Sequence, residues 1–239
     1  MRPATGGARG LTLLEVCLSL ALAGLLAAVF AQSTSGFVEI YRSSHAIAEL
    51  SQKQWVAMER IRRELFRSVP ASVQTEADGT GFNFQRVLAE GVVETADSFN
   101  DWMTIAFLDP ADIPPGASLW VCRTGSSEIL PTTVDHVVPE TRQIYYVDGF
   151  ENEPDLEPGD RCWISTERVY FHVREDVLFR ATSGATDTDF PLVDCVSRFQ
   201  ASVEAGKPLL HIELALSREG TEAGGAHSLV LPTPEGSTG

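Results

Sequence analysis

The sequence lacks an excess of positive charge and the signatures of common enzymes. Its 18 Lys and Arg residues are outnumbered by 33 Asp and Glu residues, giving a formal net charge of −15. A chain this acidic is not a generic basic nucleic-acid-binding protein. The motifs G-x-S-x-G, H-E-x-x-H, G-x-G-x-x-G and the P-loop are all missing. We therefore predict a protein that is not an enzyme, needs no cofactor and does not bind nucleic acid directly.

Proline and aspartate are absent from a long N-terminal stretch. No proline occurs from Leu11 to Val69, and the first aspartate is Asp78. Residues 1–68 carry 8 Lys or Arg and 5 Asp or Glu, a net charge of +3, and residues 69–239 carry −18. The mean hydropathy near zero therefore averages two segments with different surroundings.

An apolar run of 21 residues, Leu11–Ala31, is long enough to span a bilayer as a helix. Its single charge is Glu15, and Arg2 and Arg9 precede it. The positive-inside rule places the N-terminus in the cytoplasm and the acidic bulk outside it.

Three interpretations of this run compete. A secretory signal peptide would be cut after Ala31, where Val29 and Ala31 supply the small residues, although the run is long for that purpose. A simple membrane anchor is the second, and Glu15 counts against it because an unpaired carboxylate inside lipid is costly. In the third, a cut after Gly10 frees the amine of Leu11 to pair with Glu15 of a neighbouring copy.

Residues 9–16, with the sequence RGLTLLEV, resemble the class III signal of type IV pilins and pseudopilins. The resemblance implies that prepilin peptidase cuts between Gly10 and Leu11 and that Leu11 is then methylated. It also implies that Thr12 and Glu15 act in filament assembly. Phenylalanine is commoner than leucine at the position of Leu11.

The absence of proline predicts a helix over 11–68, about 87 Å long, ended by Pro70. Apolar and small residues at a 3–4 spacing predict a stripe that packs on the globular domain. The stripe comprises Phe37, Ile40, Ser44, Ile47, Ser51, Trp55, Met58, Ile61 and Leu65. Glu59 and Arg63 are spaced to pair along the helix, and the arginines at 60, 62, 63 and 67 indicate a solvated face or partners for the acidic domain.

Residues 69–232 predict one mostly antiparallel β domain, so the fold class is α+β, with a leader at 1–10 and a loose tail at 233–239. Residues 86–101 resemble a loop, and Glu175-Asp176 predicts a tight hairpin turn. The predicted strands are Trp102–Leu108, Ser118–Arg123, Arg142–Val147, Arg161–Ser165, Glu167–Arg174, Val177–Arg180, Val193–Val203, Leu209–Ser217 and His227–Leu231.

Two stretches of this domain extend the resemblance. Residues 169–180 are similar to a hairpin of the PilW and pseudopilin J group, and residues 190–199 to its LVDGVxxF segment, with Cys195 in place of the glycine. Residues 71–165 carry no recognisable motif.

Four cysteines and an acidic loop are the remaining candidates for chemistry. Cys17 lies in the apolar run. An extracytoplasmic location permits a disulfide, for which Cys122 and Cys162 are the first candidates. Cys195 then stays free or pairs between chains. No C-x-x-C pair or clustered ligand set predicts zinc. The acidic stretch Asp148–Asp160 is either a solvated loop or a calcium site of no defined pattern.

The sequence and the resemblance together predict a minor pilin or pseudopilin of the bacterial inner membrane that primes filament assembly. Its partners would be prepilin peptidase, other minor pilins and the assembly machinery of a type IV pilus or type II secretion system. Glu15 argues against the tip-most subunit, which lacks this residue in related systems. The alternatives are a membrane-anchored binding or adhesion domain outside any filament, and a secreted hydrolase that starts at Gln32.

Overall fold

The structure is a computed structural model that describes residues 12–106, 108–124, 126, 128–147, 156–183, 189–204 and 207–233. The chain divides into two compact units, Met1–Ala48 and Glu49–Gly239. One long helix, α1 (Leu13–Leu65), precedes an antiparallel β-rich domain. The expected α+β class is therefore confirmed at this level.

The helix α1 begins just after Thr12 and ends three residues before Ser68. The hydroxyl of Ser68 donates a hydrogen bond to the carbonyl of Leu65 at 2.7 Å. This bond satisfies one of the carbonyls that have no partner at the end of a helix. On the exposed side, Glu59 accepts hydrogen bonds from Arg62 and Arg63, both at 2.9 Å, so the predicted Glu59–Arg63 pair is confirmed. Glu64 pairs with Arg180 of the sheet at 3.1 Å.

The buried face of α1 differs in part from the predicted stripe. Its buried residues are Leu50, Gln54, Ala57, Met58, Ile61 and Leu65. Met58, Ile61 and Leu65 were expected there. Within the unit Glu49–Gly239, the prediction was wrong for Ser51, which is exposed, and for Trp55, which is 67% exposed. The 3–4 spacing fits two neighbouring helix faces equally well, and only packing selects between them.

The described residues contain fourteen strands. In chain order they are β1 (Gln74–Thr75), β2 (Gly81–Arg86), β3 (Ala89–Asp97), β4 (Trp102–Ala106), β5 (Ser118–Cys122), β6 (Ile129–Val138), β7 (Gln143–Val147), β8 (Arg161–Ser165), β9 (Glu167–Arg174), β10 (Val177–Ser183), β11 (Phe190–Val193), β12 (Val196–Val203), β13 (Leu209–Arg218) and β14 (Thr221–Val230).

Eight strands form two sheets, and residues 50–65 of α1 pack against them. The order is β1-β2-β9-β10-β11 in one sheet and β12-β13-β14 in the other. Ala201 of β12 donates its N–H to the carbonyl of Gly79, 2.9 Å away, and joins the two sheets. The core beneath the helix includes Phe82, Phe84 and Phe171, whose rings stack with centroids 5.0–6.3 Å apart.

The other six strands form a closed barrel in the order β3-β4-β7-β6-β5-β8. The chain leaves the sheet at Arg86 and returns at Glu167, and these two residues face each other in the register of β2 and β9. The barrel is therefore an insertion between two neighbouring strands. It has its own core, with Met103, Leu119 and Ile144 fully buried. The compact unit Glu49–Gly239 therefore contains two large hydrophobic cores, one beneath α1 and one inside the barrel.

Most predicted strands lie within a few residues of observed ones, and two differences stand out. Residues 86–101, expected to be a loop, contain β3, and β2 and β6 were also missed. The predicted strand Val193–Val203 is interrupted at Cys195, whose φ of 62° is the left-handed conformation that glycine favours. The Glu175-Asp176 turn is confirmed, since both residues have positive φ and Arg174 pairs with Val177.

Candidate functional site

Thr12 and Glu15 form a reciprocal cap at the start of α1. The N–H of Glu15 donates to Thr12 Oγ1 at 3.3 Å. Glu15 Oε2 in turn accepts the N–H of Thr12 at 3.0 Å and its hydroxyl at 3.1 Å. This is a capping box, in which two backbone donors without partners inside the helix are satisfied. Thr-x-x-Glu is the sequence signal for it, and sequence reasoning had assigned both residues to assembly alone.

The N-terminal part of α1, residues 13–31, is apolar on every side apart from Glu15 and Ser19. Large apolar side chains are exposed along it, among them Leu13, Leu18, Leu22, Leu25 and Phe30. Judged by length and composition alone, α1 is long enough and apolar enough to cross a membrane. Exposed apolar patches of this extent are typical of surfaces that contact a membrane or other protein.

Three hydroxyl groups between residues 13 and 35 of α1 donate hydrogen bonds to its own backbone. Ser19 donates to the carbonyl of Val16 at 2.9 Å, Thr34 to that of Phe30 at 2.7 Å and Ser35 to that of Gln32 at 2.8 Å. Hydrogen bonds of this kind let Ser and Thr lie in a helix without an unpaired polar group. These three hydroxyl groups therefore lower the cost of placing the helix in an apolar environment.

The predicted cleavage and methylation positions, Gly10 and Leu11, lie outside the described residues. Thr12 and Glu15 are the parts of that motif whose geometry is described. Glu15 has a hydrogen-bond partner, Thr12, on its own chain, so its carboxylate does not depend on a neighbouring subunit for a polar contact.

The register of β5 and β8 does not support the predicted Cys122–Cys162 disulfide. Cys162 lies opposite Val121, and Cys122 lies opposite Arg161. Because successive side chains of a strand point to opposite faces, the two thiols lie on different sides of the barrel wall. Both are free, as are Cys17 and Cys195. Burial raises the pKa of Cys162 to about 12 and also raises that of Cys122, so neither is a reactive thiolate at neutral pH.

The predicted calcium stretch falls largely outside the described residues, which resume at Leu156. Asp160, the described end of it, is buried and accepts the N–H groups of Thr124 at 2.8 Å and Glu157 at 2.9 Å. Its carboxylate therefore organises the local backbone. Within the described ranges no three His, Cys, Asp or Glu side chains are grouped as metal ligands.

A surface trio of Ser, His and Glu was not anticipated from the sequence. His211 Nδ1 lies 2.8 Å from Ser228 Oγ, and its Nε2 lies 3.3 Å from Glu204 Oε2. Lys207 also binds this carboxylate, and Lys207 first and His211 second hold the pKa of Glu204 below its usual range. Ser228 is exposed on a regular strand. The contacts are those of a surface histidine held by two hydrogen bonds, and we assign no reaction to the trio.

No protein-family model, curated protein or solved structure matches the chain. The case for a function therefore depends on the chain's own residues and their geometry.

Proposed function

We propose that the chain is a minor pilin or pseudopilin. In this proposal prepilin peptidase cuts between Gly10 and Leu11, Leu11 is methylated, and α1 anchors the subunit in the bacterial inner membrane with the β-rich domain outside the cytoplasm. Assembly then transfers α1 from lipid into a filament of a type IV pilus or type II secretion system. No cofactor, enzymatic activity or nucleic-acid partner is part of the proposal.

The observation that carries the proposal is an uninterrupted helix that begins directly at the Thr12–Glu15 cap and whose N-terminal part is apolar on all sides. The apolar exposure continues past the 21-residue run, since Phe37 and Tyr41 are also exposed. A plain anchor needs about 20 apolar residues. Apolar residues beyond that length are explained if other helices cover them, as in a bundle of stalks.

The role of Glu15 in assembly follows from its charge. In a bundle of apolar helices, a carboxylate without a cationic partner costs several kcal/mol. The new amine of a neighbouring Leu11 would supply that partner and a charge-assisted hydrogen bond. Only one axial offset between subunits brings the two groups together, so the contact fixes the stagger of the filament.

Mass spectrometry of the mature N-terminus tests the processing step. We expect the protein isolated from its native cells to begin at a methylated Leu11. An N-terminus at Met1 would contradict processing by prepilin peptidase, and one at Gln32 would identify a cleaved secretory signal instead.

The capping box favours a second candidate, a membrane-anchored binding or adhesion domain that never enters a filament. It gives Glu15 a function within a single chain, worth about 1 kcal/mol of helix stability. A carboxylate near the start of a membrane helix then requires no neighbouring subunit.

Neutralising Glu15 without removing the cap separates the two candidates. Glutamine serves in a capping box as well as glutamate does, so Glu15→Gln keeps the cap and loses the charge, whereas Glu15→Ala loses both. Glu39→Gln, on an exposed turn of the same helix, is the matched control. The filament proposal expects both Glu15 variants, but not the control, to remain in the membrane and be absent from sheared surface filaments. Wild-type behaviour of Glu15→Gln would refute it and support the anchored domain.

A further inference from the structure

A cavity of about 930 Å³ lies where the end of α1, the two connections between the sheet and the barrel, and the segment that follows β14 meet. Backbone hydrogen bonds hold these segments in place. The N–H of Val87 donates to the carbonyl of Arg67 at 2.7 Å, and the N–H of Leu88 donates to the carbonyl of Ile164 at 2.8 Å. The cavity is therefore formed by the fold itself, and its volume is in the range of ligand-binding pockets.

Basic residues outnumber acidic ones around this cavity, although the chain as a whole carries a net charge of −15. Arg67, Arg86 and Arg161 line it together with Glu90 and Glu167. The carboxylate of Glu167 is already engaged, because its Oε2 lies 3.4 Å from Arg86 Nη1. A local surplus of positive charge on an acidic protein favours an anionic ligand at this place.

Arg67 supplies the guanidinium that is free to bind such a ligand. It follows the last residue of α1 and is exposed. Within the described part of the chain, no side chain pairs with its guanidinium, whereas Arg62 and Arg63 both bind Glu59. A guanidinium can bind a carboxylate through two parallel hydrogen bonds, which are stronger than those between neutral groups.

Apolar side chains line the same cavity and indicate a second part of the ligand. Phe66 is 75% exposed and Leu88 is 53% exposed. Pro70 and Trp163 also line the cavity and are buried. Arginine and aromatic side chains are enriched among the residues that dominate binding at protein interfaces. The cavity therefore fits a carboxylate that stands next to an apolar group.

We propose that this cavity binds an acidic segment of a partner protein. A Glu or Asp side chain of the segment pairs with Arg67, and a neighbouring apolar side chain packs against Phe66 and Leu88. Covering a ring that is 75% exposed requires apolar groups outside the cavity as well as a carboxylate within it, which favours a polypeptide over a small organic acid. A nucleic acid fits less well because the net charge of −15 repels a polyanion.

Fluorescence anisotropy of a labelled probe peptide, titrated with the full-length chain in detergent, tests the proposal. The probe is the acetylated and amidated peptide Gly-Phe-Glu-Leu-Gly, and its control carries glutamine in place of glutamate. We expect the glutamate peptide to bind about fivefold more tightly, and the difference to shrink as the salt concentration rises. Equal binding of the two peptides, or no binding of either, would overturn the proposal.

Substitutions at exposed positions locate the contact without disturbing the core. Arg67→Gln should weaken binding of the glutamate peptide about fivefold and leave the glutamine peptide unaffected. Arg198→Gln makes the same change in net charge on an exposed position of β12 and should alter neither. Phe66→Ser should weaken both peptides, and circular dichroism should be unchanged in all three variants. Wild-type affinity of Arg67→Gln for the glutamate peptide would refute the site.

Competition distinguishes the class of ligand. Sodium hexanoate and a single-stranded oligothymidine should each fail to displace the glutamate peptide at equal concentration. Displacement by hexanoate would assign the cavity to free organic acids, and displacement by the oligonucleotide would assign it to polyanions, so either result would overturn the proposal. The cavity does not depend on Gly10 processing or on Glu15, so its failure would leave the filament proposal standing.

Discussion

The packing of α1 on the sheets can be tested with the same substitution at two isoleucines of this helix. Ile61 is 0% exposed and lies in the core beneath α1, whereas Ile40 is 64% exposed. Ile61→Ala removes three buried carbon atoms, worth about 2.4 kcal/mol in transfer free energy. The cavity left behind adds about 1 kcal/mol, and the higher helix propensity of alanine returns about 0.4 kcal/mol. The expected loss in the free energy of unfolding is therefore about 3 kcal/mol.

Ile40→Ala is the matched control, because it makes the same chemical change without burial. We expect it to alter the free energy of unfolding by less than about 0.5 kcal/mol. Urea unfolding of the full chain in detergent, followed by tryptophan fluorescence, measures both variants, and the slope against urea should be unchanged. Equal losses for the two variants, or a larger loss for Ile40→Ala, would refute the assignment of the buried face.

Three further predictions concern the globular domain. Cys162 should remain unmodified by iodoacetamide in the native protein at pH 7 and react after unfolding, because burial raises its pKa to about 12; native modification would contradict its burial. The hydrogen bond from Lys53 at 2.9 Å lowers the pKa of Asp194, so this pair stabilises the fold above the ordinary pKa of aspartate and loses that effect as the pH falls through the lowered value. Between pH 7 and pH 2, Asp194→Asn should therefore lose about 0.5 kcal/mol less stability than the wild type, and an identical pH dependence would show that the pair contributes nothing. Replacing Glu175-Asp176 by Asn-Gly should raise the free energy of unfolding by about 1 kcal/mol, since both residues have positive φ, and a lower melting temperature would refute that turn geometry.

The barrel shows why the organisation of the domain could not be predicted from local patterns. Arg86 and Glu167 pair across two adjacent strands although 80 residues separate them in the chain. Nothing in the sequence around either residue identifies this pairing, because strand partners are chosen by long-range packing. The closed barrel contains all six described strands between Ala89 and Ser165, in a stretch that carries no recognisable motif.

Residues 221–226 of β14 and the whole of β3 were missed because they lack the usual local signal, whereas the rest of β14 had been predicted as His227–Leu231. β14 contains Gly224 and Gly225, which have low β propensity. Gly224 is nevertheless required, because a Cβ there would lie 2.7 Å from the Cβ of Ala215. β3 contains several acidic and small residues, so its alternation is weak. In both strands, pairing with neighbours outweighs intrinsic preference.

The sequence by itself determined the features that depend on neighbouring residues. The absence of proline up to Val69 determined a continuous helix, and Glu175-Asp176 determined a hairpin turn. Tertiary structure alone decided which face of α1 is buried, that Cys122 and Cys162 lie on opposite sides of a barrel wall, and that β14 is an open edge. Helix and turn formation are local, whereas face selection, strand pairing and register depend on residues far apart in the chain.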